Sequence, residues 1–258
     1  NPLEITNKPG LVYYGDTFTL SAVGGSSSAA VTWSTNNDSV VEIDDNGFVK
    51  IIGTGSATIT ATRPGNGNYN DATATYSLNA LKKPITAIVT ADDRVYASGV
   101  TTATIHVTWK DGDLVGNDVL DTRNLTGAFR DDSVGANKTV DISGTVVNDS
   151  TAQKYDITIP ATTTASILKA DAPVPSVTAV PSLMYNGSAQ ALVNGGDANT
   201  LYSDSRDGVY SAAVPTGTNA GTYTVWYKAK GDDNHNDSEP QSIQATISRK
   251  TLMASNTN

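Results

Sequence analysis

VTWSTNNDSVVEIDDNGFVKIIGTGSATITA, residues 31–61, holds a tryptophan in a short alternating run, an Asp-Asn-Gly turn, a second short run, a Gly-x-Gly corner and the alternating ATITA. Alternation of apolar and polar residues places every second side chain on one face, which is the pattern of a half-buried strand. Asn-Gly after Asp favours a tight hairpin, and Gly55 lets the chain turn a corner before a buried strand. Trp33 is the large residue expected in the core. The cadence is that of a small antiparallel β-sandwich, and two comparable segments follow.

Working outward, 258 residues exceed one small sandwich and suit two or three domains. A third of the chain, about 80–90 residues, can bury a modest core. With a formal net charge of −9 no nucleic acid is expected as a partner, because phosphate binding needs clustered Lys and Arg. Cysteine is absent, which excludes a disulfide framework, thiolate zinc sites and thiol catalysis. No run approaches the roughly 20 apolar residues that span a bilayer, so no membrane insertion is expected in this segment. Asn1-Pro2 at one end and Thr251-Leu252-Met253 at the other read as parts of something longer.

Each segment ends in a short alternating strand followed by Lys or Arg. The ends are residues 74–81 before Lys82-Lys83-Pro84, residues 164–168 before Lys169, and residues 245–248 before Arg249-Lys250. Proline after a last strand cannot donate to a ladder and stiffens the joint. The expected domains are therefore 1–82, 83–170 and 171–250, with 251–258 the start of a further segment or a disordered tail. Residues 65–71 (GNGNYND) and 231–237 (GDDNHND) precede the last strands of the first and third segments. Both read as hairpin loops in which Gly, Asn and Asp supply positive φ and local side-chain bonds. Further alternating runs, residues 18–23, 104–109 and 223–227, and turn signals every 8 to 12 residues complete an all-β pattern.

The first segment resembles the bacterial immunoglobulin-like group 2 domain. The matching residues are Val31-Thr32-Trp33-Ser34, the hairpin at residues 43–49 and the run at residues 53–61. The second segment resembles the YDG-type repeat of bacterial surface proteins. It does so through Asp93-Arg94-Val95-Tyr96, residues 101–104, 127–131 and 134–140, and Tyr155-Asp156-Ile157-Thr158; where that family has Asp-Gly after the Tyr, this chain has Ala97-Ser98-Gly99. The third is similar to a further Ig-like repeat of bacterial surface proteins, through residues 185–190 and 218–225. In Thr222-Tyr223-Thr224-Val225, Tyr223 sits where a tyrosine corner is expected and Val225 where the core residue follows. These resemblances imply three tandem immunoglobulin-like β-sandwich domains in an elongated arrangement.

Catalytic chemistry finds little support. The chain has two histidines, His106 in a Thr/Val run and His235 in an Asn/Asp loop, and no Gly-x-Ser-x-Gly elbow. Its carboxylates sit mostly in turns, so no enzyme and no catalytic residue are expected. Calcium is the cofactor to consider, because Asp111 and Asp113 (near Asn117, Asp118 and Asp121) and Asp232, Asp233 and Asp237 lie in oxygen-rich loops. Neither loop has EF-hand spacing or its closing Glu, and solvated turns explain both. Trp226 is the candidate ligand residue. If Tyr223, Val225 and Tyr227 point inward, period two turns Trp226 outward between Thr224 and Lys228.

The expected function is a non-catalytic structural and adhesive segment of an extracellular bacterial protein, cell-surface or secreted. It acts as a monomeric spacer whose partner is a protein or a glycan. The alternative is an accessory carbohydrate-binding module of a secreted polysaccharide-degrading enzyme. That reading requires a row of exposed aromatics, first among them Trp226, Tyr202 and Tyr210.

Overall fold

A computed structural model of the chain describes residues 1–251; the expectation for the tail falls, from Leu252 on, outside the described residues. The protein is all-β and immunoglobulin-like in its sandwiches, and its helical content among the described residues is one 3-10 turn, Ala152–Lys154. Packing divides the chain into two compact units. One unit comprises Asn1–Ala91, Ala103–Ala128 and Val140–Thr163; the other comprises Asp92–Thr102, Phe129–Thr139 and the described residues from Thr164 on. The segment ends expected at residues 82 and 170 each fall inside a unit.

Two hydrophobic cores lie in the first unit. In one, the sheet ordered Val12–Tyr13, Ala72–Leu81, Gly55–Arg63, Thr32–Thr35 packs over the sheet ordered Thr17–Thr19, Phe48–Ile51, Val41–Ile43. Period two decides the packing. Along Gly55–Arg63, Ala57, Ile59 and Ala61 are buried, and their neighbours Thr58 and Thr60 are not. They meet Val41, Val49 and Ile51 from the facing sheet. Trp33 packs against this core half-buried, over Gly47, whose φ of 78° closes the Asp44–Phe48 turn. In that turn Asp44 Oδ1 accepts the backbone N–H groups of Asn46 (2.9 Å) and Phe48 (2.8 Å). The run at residues 18–23 does not form one strand. Leu20 is buried and its N–H donates to the Gly47 carbonyl (2.9 Å), so the chain leaves one sheet at Thr19 and pairs as Ser21–Val23 with Glu4–Thr6.

The other core of this unit gathers Ile85, Leu120, Leu125, Val146, Ala152 and Tyr155 around Val107, Trp109 and Val115, and it also holds Tyr14. The second unit has a core of Val177, Leu192, Val193, Tyr202, Val225, Ala245 and Ile247. There the sheet runs Leu183–Met184, Gln241–Ser248, Gly221–Ala229, Thr200–Ser203. Tyr223 forms the expected corner: its hydroxyl donates to the Asn219 carbonyl (2.8 Å), and Val225 is buried two residues later.

The two Gly-Asn-Asp loops are hairpin loops, but their first glycines work differently from the expectation. Neither Gly65 nor Gly231 has positive φ. A Cβ would instead lie 2.1 Å from the Tyr69 carbonyl oxygen at Gly65 and 2.4 Å from that of His235 at Gly231. The close crossing of the loop backbone excludes a side chain.

Period-two burial makes a direct prediction. Ile59→Ala, at a fully buried position, should cost roughly 2–5 kcal/mol in chemical unfolding, whereas Thr75→Ala, exposed on the adjacent strand, should stay within about 0.5 kcal/mol. Equal losses would show that this strand does not bury one face.

Candidate functional site

Trp226 stands on the Gly221–Ala229 strand between Ser203 and Ser242 of the neighbouring strands, and it is half-buried. The row of exposed aromatics does not form around it. Alternation along Thr200–Ser203 sends Thr200 and Tyr202 inward, so Tyr202 joins the core and its hydroxyl donates to the Gly195 carbonyl (3.2 Å). Tyr210 is half-buried, with the Lys228 ammonium 4.6 Å from its ring centre.

Among the described residues, no three His, Cys, Asp or Glu side chains gather as a metal-binding group. In the second oxygen-rich loop two carboxylates are spent locally. Asp232 Oδ1 accepts the N–H groups of Asn234 and His235 and faces the His235 ring Nδ1, each at 2.8 Å. The ring bond, then the Asn234 amide, hold its carboxyl below the usual range. Asp237 accepts the Gly231 N–H (2.8 Å) and pairs with Lys228 (2.7 Å), which lowers it likewise. Asp111 and Asp233 are exposed, and Asp113 lies in a turn closed on the Lys110 carbonyl. His106 is exposed on its strand.

The first unit instead uses Asp118 to tie together the stretches on either side of residue 82. The hydroxyls of Tyr14 (2.9 Å) and Tyr155 (2.7 Å) both donate to Asp118 Oδ2, and the Val115 N–H donates to the Tyr155 oxygen (2.8 Å). Hydrogen bonds to a charged acceptor are the stronger kind. The two rings meet edge-to-face at 5.4 Å and 89°, and the Lys154 ammonium lies 4.8 Å from the Tyr14 ring centre. Tyr14 and Tyr155 are both buried. The connecting strand Lys83–Thr86 pairs in parallel with Tyr155–Thr158. Gly15 makes the fit possible, because a Cβ there would lie 2.4 Å from a Val115 methyl. Burial first, then Asp118, pushes the Tyr14 hydroxyl up to about 12, and burial also raises Tyr155.

A second joint, within the second unit, uses other residues. The Tyr96 ring meets the His235 ring edge-to-face at 5.2 Å and 88°. The connecting strand Ala170–Asp171 pairs in parallel with His235–Asn236, and the Lys169 ammonium donates to the Asp232 carbonyl (2.6 Å). The Asn234 side chain accepts the Val134 N–H (3.1 Å), and that of Asn236 donates to Asp171 (3.2 Å).

Asp118, Asp232 and Asp237, read from the sequence as calcium candidates or their neighbours, thus belong to or beside joints. Sequence reasoning missed Tyr14 altogether. The available signal was a tyrosine just after a short strand near the start of every segment: Tyr14, Tyr96 and Tyr185. Neither joint pairs a nucleophile with a base. What the arrangement offers is orientation: buried rings and short strands that hold consecutive stretches in one setting.

Comparison with known proteins supports the first two segments. Residues 2–75 match the family model of the bacterial Ig-like domain (group 2), and residues 81–165 match that of the YDG domain. No curated protein matches the chain. An intimin mutant of EHEC O157:H7 is similar in structure at 25% identity and a TM-score of 0.27, over 37% of this chain and 53% of that one. The chain thus spans about half of that intimin structure. Drosophila N-cadherin EC1-4 aligns at 12% identity over 97% of this chain and 76% of that one, with a TM-score of 0.25. Drosophila N-cadherin EC1-3 aligns at 11% identity over 95% and 99%, with a TM-score of 0.27.

The raised tyrosine gives a pH dependence with a definite sign. The folded chain holds the Tyr14 proton more tightly than the unfolded chain does, so this contribution is complete below pH 10 and is lost as pH rises through about 12. Phenolate absorbance should show a late-titrating component, shared with Tyr155, that shrinks by one tyrosine in Tyr14→Phe, and the variant should lose less stability across that window. A Tyr14→Phe titration curve whose late component is undiminished would contradict the assignment.

Proposed function

We propose that this chain is a non-catalytic spacer of a bacterial cell-surface or secreted protein. In it three Ig-like modules, 1–82, 83–170 and 171–250, stand in series and present an adhesive part of the protein to a protein or glycan. The observation that carries this reading is the pair of joints, each built from an edge-to-face ring pair and a parallel connecting strand. A freely jointed string would need only linkers; burial of Tyr14 and Tyr155 instead makes the first joint part of a core. The matches to bacterial Ig-like and YDG domains support the surface setting, and the tyrosine corner and closed core of residues 177–247 support a third module. Asp118, Asp232, Asp237 and His235 serve joints and their loops, which agrees with a structural role.

Two measurements test this. Pulled from its ends, the chain should unfold in three steps, each releasing roughly 80 residues or about 280 Å of contour; one or two larger steps would refute three modules. Antibodies against the chain should label intact cells that make the parent protein, and labelling that requires permeabilisation would refute the surface assignment.

A further inference from the structure

The same construction occurs three times. Val12–Tyr13 pairs in parallel with the end of the last strand of its segment, Tyr13 opposite Leu81, and the next N–H, that of Tyr14, donates to the Leu81 carbonyl (2.9 Å). Arg94–Val95 does the same, with Val95 opposite Leu168 and the Tyr96 N–H on the Leu168 carbonyl (2.8 Å). Leu183–Met184 repeats it, with Met184 opposite Ser248 and the Tyr185 N–H on the Ser248 carbonyl (2.9 Å). The residue after each strand end is a cation: Lys82, Lys169 and Arg249.

The rings that cap these tyrosines are also equivalent. In the first joint Lys83 pairs with Tyr155, and in the second Ala170 pairs with His235. Lys83 and Ala170 each follow the cation directly, so Tyr155 and His235 hold the same place. The first segment has this place too. In its loop the Gly65 N–H donates to Asp71 (2.7 Å) and the Asn66 N–H to the Tyr69 carbonyl (2.9 Å). In the third segment the Gly231 N–H donates to Asp237 (2.8 Å) and the Asp232 N–H to the His235 carbonyl (3.1 Å). Tyr69 therefore stands where His235 stands. Tyr14 and Tyr96 each meet their ring, at 5.4 and 5.2 Å. Among the described residues no ring is stacked on Tyr185 or Tyr69, which are 41% and 51% exposed, whereas Tyr14 is 5% exposed.

We infer that the face around Tyr185 is a docking surface for one more β-sandwich module of this build, delivered in series through Arg249, whose hairpin loop sets an aromatic or imidazole ring edge-on against Tyr185. The Tyr69 loop is the matching face on such a module. This rests on the serial reading above and extends it from two joints to a repeating rule. Continuity with the two existing joints identifies the occupant: the same strand register, the same cation and the same exposed ring lead to the same partner. An edge-to-face ring pair adds a small attraction beyond its buried area. That is enough to fix an orientation already tethered by a linker, and little to draw free molecules together.

The test joins two copies head to tail, Thr251 of the first to Asn1 of the second. Glu4 of the second copy then lies six positions after Arg249, as Ile88 lies six after Lys82, and each begins the equivalent strand. The chain lacks cysteine, so spin labels can be placed singly at Thr224 of the first copy and Thr75 of the second, both exposed. We expect a narrow distance distribution that broadens at least twofold in Tyr185→Ala or Tyr69→Ala and stays narrow in Tyr69→His. A broad distribution in the unaltered fusion, or one indifferent to Tyr185→Ala, would overturn the inference. Dimers of the unfused chain that vanish in Tyr185→Ala would assign the face to a second copy and overturn it as well. Labels at Ala136 and Thr224 of the single chain distinguish this from failure of the serial reading. If they report a distribution that is narrow and broadens in Tyr96→Ala, the serial reading stands alone; if broad throughout, the serial reading falls too.

Discussion

The last strand of a segment has two sides to satisfy, and the way it does so governs the joints. Gln241–Ser248 pairs antiparallel with Gly221–Ala229 on one side and takes the two-residue strand Leu183–Met184 in parallel on the other. Ala72–Leu81 is flanked in the same manner by Gly55–Arg63 and Val12–Tyr13. An unpaired edge would template association with another chain, and the short parallel strand covers it where the chain is about to leave the sandwich. The following tyrosine is delivered to the exit point by that pairing. Register thus brings one ring to the end of the last strand, beside the residue where the chain leaves it.

Packing, not charge, supplies the cohesion. The ion pairs Arg123–Asp121, Lys138–Asp131 and Arg206–Glu239 each have at least one well-exposed partner, and solvent screening leaves such pairs little to contribute. Lys138, with Ser133, holds the Asp131 carboxyl down to about 2, yet that carboxyl is solvated and the pair adds little. Each buried aliphatic such as Ile59 or Ile247 contributes about 1.5–3 kcal/mol by leaving water. With no disulfide to constrain the unfolded chain, these residues carry the fold. The net charge of −9 then serves solubility.

Sandwich architecture was legible because it is written in local patterns. Asp44-Asp45-Asn46-Gly47, the alternation through Ala57, Ile59 and Ala61, and Tyr223 with Val225 each describe a few adjacent residues whose geometry is set by sterics and period. Leu20 shows where this stops. Its alternating surroundings suit a strand, but a carbonyl in a distant turn, that of Gly47, decides that the chain changes sheets there. The joints lie wholly beyond local pattern. Tyr14 and Asp118 are 104 residues apart and Tyr96 and His235 lie on different segments, so no window of sequence contains either contact.

The Asp-rich loops separate two uses of the same residues. A calcium loop must leave several oxygens aimed at one point, with no protein donor occupying them. A joint loop does the reverse: Asp237 closes on the Gly231 amide, and Asp232 takes two amides and an imidazole nitrogen, so protein donors occupy those oxygens and Asp232 fixes the ring of His235. Composition cannot tell these apart, because Gly, Asn and Asp suit both. The position of the ring can. In the first joint it is Tyr155, braced by Asp118; in the second it is His235, braced by Asp232. The bracing acids, Asp118 and Asp232, come from different places in the chain, yet the ring geometry is the same to within 0.2 Å and 1°. What persists is the backbone register that places the ring. Two different rings, those of Tyr155 and His235, fill that place, so repeats assembled by this rule can diverge in sequence while their joints keep one form.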